Sequence, residues 1–146
     1  DMPDDIVQME EIASQNTYAI AGLKASTDWI LRDGMNSVRE AEIVNRDALL
    51  SLLRHSRALS IVGDDMACER IGVVSALVGG LSPDEAEHVL GRLGVAVRAG
   101  IQCAPFAHRF LGTLPGGTVR FSVSALTSPH DLDTLDVALN AIENEL

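Results

Sequence analysis

The chain has 146 residues, 47% hydrophobic and 22% charged, a globular balance that excludes a disordered chain and leads us to expect a single domain over residues 1–146. Acidic residues number 21 against 11 basic ones, a net charge of −10, which argues against nucleic acid and against an anionic membrane surface, both of which need a basic face. No apolar run approaches the ~18–20 residues of a membrane-spanning helix, and no signal-peptide pattern opens the chain.

The opening Asp1-Met2-Pro3-Asp4-Asp5 reads as the interior of a longer chain. Residues 1–18 are polar and irregular. A first helix is expected over Ala19–Arg32, with Ile20, Leu23, Thr27, Ile30 and Leu31 on one face and Gly34 as its stop. A second is expected over Ser37–His55, its apolar side formed by Val38, Ala41, Ala48, Leu49, Leu52 and Leu53. Two strands follow, Leu59–Val62 and Ile71–Val78, the first closed by Gly63-Asp64-Asp65 and the second by Gly79-Gly80. Ser82-Pro83-Asp84-Glu85 is a capping box with Pro at the first helical position, and its helix should end near Leu93-Gly94.

A third short strand is expected at Val95–Val97. Pro105 opens a short helix. Val119, Phe121 and Val123 alternate with Arg120, Ser122 and Ser124, the pattern of a half-buried strand. The last helix begins at Ser128-Pro129, and Leu132, Leu135, Leu139, Ile142 and Leu146 form its apolar stripe. Aromatics are only 3% of the chain, so the core must be aliphatic. Together these elements predict an α+β fold, a two-layer sandwich of about four antiparallel or mixed strands with helices on one face. There is no Gly-x-Gly-x-x-Gly and no phosphate loop, which disfavours a doubly wound nucleotide fold.

Two cysteines, Cys68 and Cys103, are too few for a disulfide framework and favour a reducing, cytoplasmic compartment. Cys68 borders a strand and reads as structural. Cys103 falls just before the helix opened by Pro105, where free N–H groups and an arginine nearby would favour a thiolate. The plain alternative is a small buried apolar residue. Arg120 should point away from the core built by its neighbours. His108 either approaches the thiol across one helical turn or is an ordinary surface histidine. His55, His88 and His130 share no metal-ligand spacing with it, and no metal site is expected.

Arg98-Ala99-Gly100-Ile101-Gln102-Cys103-Ala104-Pro105 resembles the Arg-x-Gly-x-x-Cys-Ala loop of cysteine desulfurases, pyridoxal-phosphate enzymes of the class V aminotransferase family. Gly116-Gly117-Thr118-Val119-Arg120-Phe121-Ser122 is similar to that family's Val-Arg-x-Ser strand, and Ser128–Leu146 to its closing helix. Glu11-Ile12-Ala13-Ser14-Gln15-Asn16-Thr17, followed by Ile20-Ala21-Gly22-Leu23, resembles its Glu-x-Gly-Thr-x-Asn-Thr segment. The likeness covers nearly the whole chain, but only the C-terminal part of the family's pattern.

The resemblance implies that Cys103 attacks the sulfur of cofactor-bound L-cysteine, giving alanine and a persulfide. It implies that Arg120 holds the substrate carboxylate, with Arg98 beside it. Ser14 would reach the cofactor phosphate across a homodimer, and a sulfur-acceptor protein would take the persulfide sulfur. Gln102 stands where the family often has His, and can still hydrogen-bond toward the cofactor. Ala13 replaces the family's Gly, and Ser124 replaces the Gly of its Ser-x-Gly.

Ten of the 11 basic residues are Arg. The single lysine, Lys24, lies inside the first expected helix and lacks the context of a Schiff-base lysine. The chain therefore reads as the C-terminal domain of a longer enzyme, inactive by itself. Two alternatives stay open: a class V aminotransferase, epimerase or lyase without persulfide chemistry, and a stand-alone protein-binding module.

Overall fold

A computed structural model describes residues 15–64 and 70–145. Two compact units divide the chain, residues 1–38 and 39–146. Glu11, Ala13, Ser14, Asp65, Cys68 and Leu146 lie outside the described residues.

In the first unit, helix α1 spans Thr17–Asp33. Its start precedes the expected Ala19 because the Asn16 side chain accepts the Ala19 N–H at 3.0 Å, a side-chain cap that serves an otherwise orphaned donor. Gly34 ends it as expected, at φ +85°, donating its N–H to the Ile30 carbonyl. No residue of α1 is buried. The anticipated face is present, yet Ile20, Leu23 and Leu31 all remain exposed.

Helix α2, Met35–His55, begins in the first unit and runs into the second, where it buries Leu49, Leu50 and Leu53. Strands β1 (Leu59–Ile61) and β2 (Val73–Val78) form an antiparallel pair with Leu59 opposite Val78. Helix α3 (Pro83–Arg92) carries the complete capping box. The Ser82 N–H donates to Glu85 Oε2 at 2.8 Å, and the Glu85 N–H donates to Ser82 Oγ at 3.3 Å. Strand β3 is Arg98–Gly100, helix α4 is Pro105–Phe110, strand β4 is Thr118–Ser122 and helix α5 is Pro129–Glu145.

The third strand is a correction: it is Arg98–Gly100, not Val95–Val97. The Val95 N–H is still tied to the Leu90 carbonyl at the end of α3. Val97 is buried in the core, but pairing with β4 begins only at Arg98. The apolar alternation there reported burial, and the ladder starts one residue later.

The sheet has the order β1-β2-β4-β3, antiparallel throughout, in the α+β class expected from the sequence. Side chains alternate across it. Val74, Ala76, Val78, Val119 and Phe121 belong to one buried cluster with Leu49 and Leu53 of α2, Leu90 of α3, and Leu135, Leu139 and Ile142 of α5. Phe121 is the one aromatic in that cluster, and each buried leucine contributes about 1.5–3 kcal/mol. The opposite face carries Ser60, Val73, Ser75, Leu77, Arg98, Arg120 and Ser122, with Val73 and Leu77 exposed.

The caps make stability pH-dependent. The Ser82 hydroxyl and then its N–H hold the Glu85 carboxyl below the ordinary carboxylate range, and the Ser128 N–H and then its hydroxyl do the same for Asp131. Both groups bind a proton less readily folded than unfolded. Their stabilisation is therefore present above the ordinary carboxylate range and is lost as pH falls through the lower folded values. Thermal melts of this chain are expected to shift down on acidification in that window. Ser82→Ala should cost about 1 kcal/mol at neutral pH and reduce the acid dependence, and a variant melting like the parent at every pH would contradict the assignment.

Candidate functional site

The site is built on the β3–β4 edge of the second unit. Arg98 stands opposite Arg120 in the register, Ala99 opposite Val119, and Gly100 opposite Thr118. Because Val119 and Phe121 face the core, Thr118 and Arg120 face the other way, and Arg98 shares their side of the sheet. Ser75 of β2 flanks Arg120 on the far side. Two like charges directly opposite one another are unfavourable in a sheet unless something compensates them.

Compensation is partial. Arg98 is largely exposed and reaches Glu87 of α3 at 3.4 Å. Arg120 is half-buried, and its Nε is buried with no hydrogen-bond partner among the described residues. Thr118 is 1% exposed, and its Oγ1 is likewise buried and unpartnered. A buried polar group left unsatisfied costs about 1–3 kcal/mol. A guanidinium beside a second arginine, with one N–H unused, has the donor geometry that suits a carboxylate.

From Gly100 the chain turns sharply. The Ala104 N–H donates to the Ile101 carbonyl at 2.9 Å, and the two central residues, Gln102 and Cys103, have φ of +46° and +60°. Positive φ at both centres is the signature of a type I′ turn, normally built from Asn and Gly. Side-chain-bearing residues pay about 1 kcal/mol or more for it at each position. The Gln102 side-chain amide donates to the Arg98 carbonyl at 3.2 Å and to the Thr118 carbonyl at 3.1 Å. Cys103, at the tip, is exposed and free.

Helix α4 follows at once, with Ala104 as its cap residue and Pro105 in its first turn. Cys103 therefore sits one position before the cap. His108 is not the surface histidine that one reading of the sequence allowed. It is 5% exposed, and its Nδ1 lies 2.7 Å from Thr113 Oγ1. The Thr113 N–H also donates to the His108 carbonyl at 2.9 Å. His108 thus ties α4 to the turn behind it. Phe106 and Phe110, one helical turn apart, are 80% and 81% exposed, and the Arg109 guanidinium lies 5.9 Å from the Phe106 ring centre.

The structure therefore brings Arg98, Gln102, Cys103 and Arg120 to one strand pair and sets His108 to packing. Lys24, on α1, pairs with Asp28 four residues on. Thr113 escaped the sequence reading, and Thr118 and Gly117 entered it only as members of the arginine-strand motif, without roles of their own. Thr118 was findable, since it extends the polar alternation of Arg120 and Ser122 by one step. The His108–Thr113 pair had no signal, because it depends on how the chain folds back after α4. Among the described residues no helix is long and apolar enough to cross a membrane.

Known proteins share the family and the fold of this chain. Residues 5–135 match the family model described as Aminotransferase class-V. The chain is 32% identical over 138 residues to a cysteine desulfurase of Synechococcus elongatus, covering 91% of this chain and 21% of that protein. It is 30% identical over 124 residues to a probable cysteine desulfurase of Streptomyces coelicolor, covering 84% of this chain and 29% of that one. A solved cysteine desulfurase of Thermococcus onnurineus superposes with a TM-score of 0.70 at 26% identity, over 92% of this chain and 33% of the other. A cysteine desulfurase of Escherichia coli shares the fold, with a TM-score of 0.71 at 23% identity, over 92% of this chain and 32% of the other. The chain thus spans between about a fifth and a third of the length of these relatives. With the family match covering most of its length, this chain belongs to the class V aminotransferase family.

Proposed function

We propose that this chain is the C-terminal small domain of a longer pyridoxal-phosphate-dependent cysteine desulfurase, contributing the sulfur-accepting thiol and the substrate arginines. One observation carries the reading: an exposed cysteine on a strained turn leaves the same strand pair that presents Arg98 and the unsatisfied Arg120. The alternative of an inert relic cysteine gives no reason to hold that residue at positive φ.

Pyridoxal phosphate, when bound, supplies the electron sink that makes the substrate's carbon–sulfur bond labile. The described residues offer no buried lysine for the cofactor's own platform, the single lysine of the chain being exposed in an ion pair with Asp28 on α1. They do fit the substrate. Arg120, with Arg98 beside it, binds the carboxylate of L-cysteine. The deprotonated Cys103 sulfur attacks the substrate sulfur, forming a sulfur–sulfur bond. The carbon–sulfur bond breaks, its electron pair stays with carbon, and a proton taken up there completes alanine. The transferred sulfur remains on Cys103 as a persulfide.

The remaining assignments follow from this reading. The lysine platform comes from the rest of the protein, so this domain alone is inactive. The whole enzyme is a cytoplasmic homodimer in which Ser14 approaches the cofactor phosphate of the other protomer. A thiol-bearing acceptor protein collects the sulfur, and the exposed Phe106 and Phe110 beside the turn suit such an encounter.

The test uses the full-length protein with pyridoxal phosphate and L-cysteine, quantifying alanine and mapping the persulfide by mass spectrometry. Alanine together with a persulfide on Cys103 is the expected result. Cofactor binding without alanine would replace the desulfurase by an aminotransferase, epimerase or lyase. In the same assay Arg120→Ala should raise KM for L-cysteine about 10- to 100-fold, the loss of a charge-assisted pair. An unchanged KM would remove Arg120 from the carboxylate site.

A further inference from the structure

We infer that Gln102 is a positioning residue, a latch that fixes the Cys103 turn to the sheet edge and sets where the thiol can meet its substrate. The inference rests on the desulfurase reading for its functional consequence, but its structural part stands on its own.

The turn has little else to hold it. Its two central residues both occupy a backbone region that favours glycine, and neither is glycine. Left to local preference, Gln102 and Cys103 would relax out of that conformation. One backbone hydrogen bond, from the Ala104 N–H to the Ile101 carbonyl, closes the turn. Cys103 is exposed and makes no packing contribution that would restrain it. Ala104 caps α4 without any side-chain bond, so the helix holds the turn from behind only through the His108 N–H donated to the Ala104 carbonyl at 3.1 Å.

The Gln102 amide supplies the missing restraint. Its nitrogen has two N–H groups, and each finds a carbonyl, Arg98 on β3 and Thr118 on β4. A single side chain thereby staples the turn to both strands that carry the arginines. Thr118 is almost wholly buried, so its carbonyl has little access to water as a substitute partner. The nitrogen's donors are both spent on the fold. Gln102 therefore acts through Cys103 and does not need to touch the substrate.

A positioned nucleophile differs from a loose one in rate, not in affinity. The latch predicts a loss in kcat with KM for L-cysteine unchanged, together with local loosening of the turn. The experiment compares Gln102→Met, which keeps the side-chain length but has no donor, with Gln102→Glu, which keeps polarity and length but offers no N–H when ionised. Both are made in the full-length protein. Hydrogen exchange is followed at the Ala104 amide and at amides in the middle of α5, beside the kinetics of alanine release.

Both variants are expected to speed exchange at Ala104 by about tenfold or more while α5 stays protected, a local opening and not a global one. Both should lower kcat by about tenfold, with KM within about twofold of the parent. Unchanged Ala104 exchange in Gln102→Met overturns the latch, whatever the activity. Faster exchange with unaltered kcat overturns the positioning role. Loss of protection throughout α5 in both variants makes Gln102 a residue of the fold and also overturns it. Should the parent enzyme release no alanine at all, the desulfurase reading fails, and exchange alone still decides whether the latch exists.

Discussion

Cys103→Ala in the full-length protein is expected to reduce alanine release from L-cysteine by at least about 10³-fold, the scale seen when a covalent nucleophile is removed. The proposed step forms a bond to the Cys103 sulfur, and no other described side chain offers a thiol. The fold should be indifferent to the change. Cys103 is exposed, so no packing is lost, and alanine pays the same penalty as cysteine for its φ of +60°. Cofactor absorbance and the melting temperature should therefore match the parent. Cys103→Gly supplies an internal control. Glycine is at ease at positive φ, so this variant should be equally inactive yet more stable by about 1 kcal/mol. Persistent alanine release in both variants would place the sulfur chemistry elsewhere.

Gly117→Ala is expected to be the most damaging single-methyl change in the second unit, costing about 3–5 kcal/mol. Gly117 has φ of +83°, which alone costs a side-chain-bearing residue about 1–2 kcal/mol. A Cβ placed there would lie 2.2 Å from the Gly100 carbonyl carbon, 2.3 Å from its oxygen and 2.7 Å from its Cα. These are backbone atoms of the neighbouring strand, so no side chain can swing aside to make room. Relief requires β3 to move off β4, which separates Arg98 from Arg120 and strains the Gln102 bridge. Gly116→Ala is the matched control. Its added Cβ would meet only Pro83 Cδ, at 3.8 Å, an ordinary contact, and its cost should stay within about 0.5 kcal/mol. Urea unfolding of the two variants beside the parent checks the contrast, and equal midpoints would contradict it.

The two predictions probe the same edge from opposite sides. One removes the reacting atom and leaves the scaffold. The other leaves the reacting atom and breaks the approach of β3 to β4 on which its placement depends. If both hold, the site is a product of that strand pair.

Much of this protein was legible in its residues. The order of elements, the Ser82–Glu85 capping box, the stop at Gly34 and the apolar stripe of α5 followed from patterns that act within a few residues. Local rules govern them, because caps, turns and helical faces are satisfied by near neighbours. The motif around Cys103 and the strand holding Arg120 were legible for the same reason, as short runs with a distinctive order. Other features were decided by tertiary structure. Val95 and Val97 carry a strand-like alternation, yet the ladder begins at Arg98, because pairing depends on where β4 arrives. His108 is buried and hydrogen-bonded to Thr113, and Arg98 meets Arg120 across a register that nothing in either segment specifies alone. Gln102 finds its two carbonyls on strands separated by the whole of α4. These pairings join segments distant in the chain, so only the folded sheet brings them together, and with them the thiol and the arginines that the motif merely names.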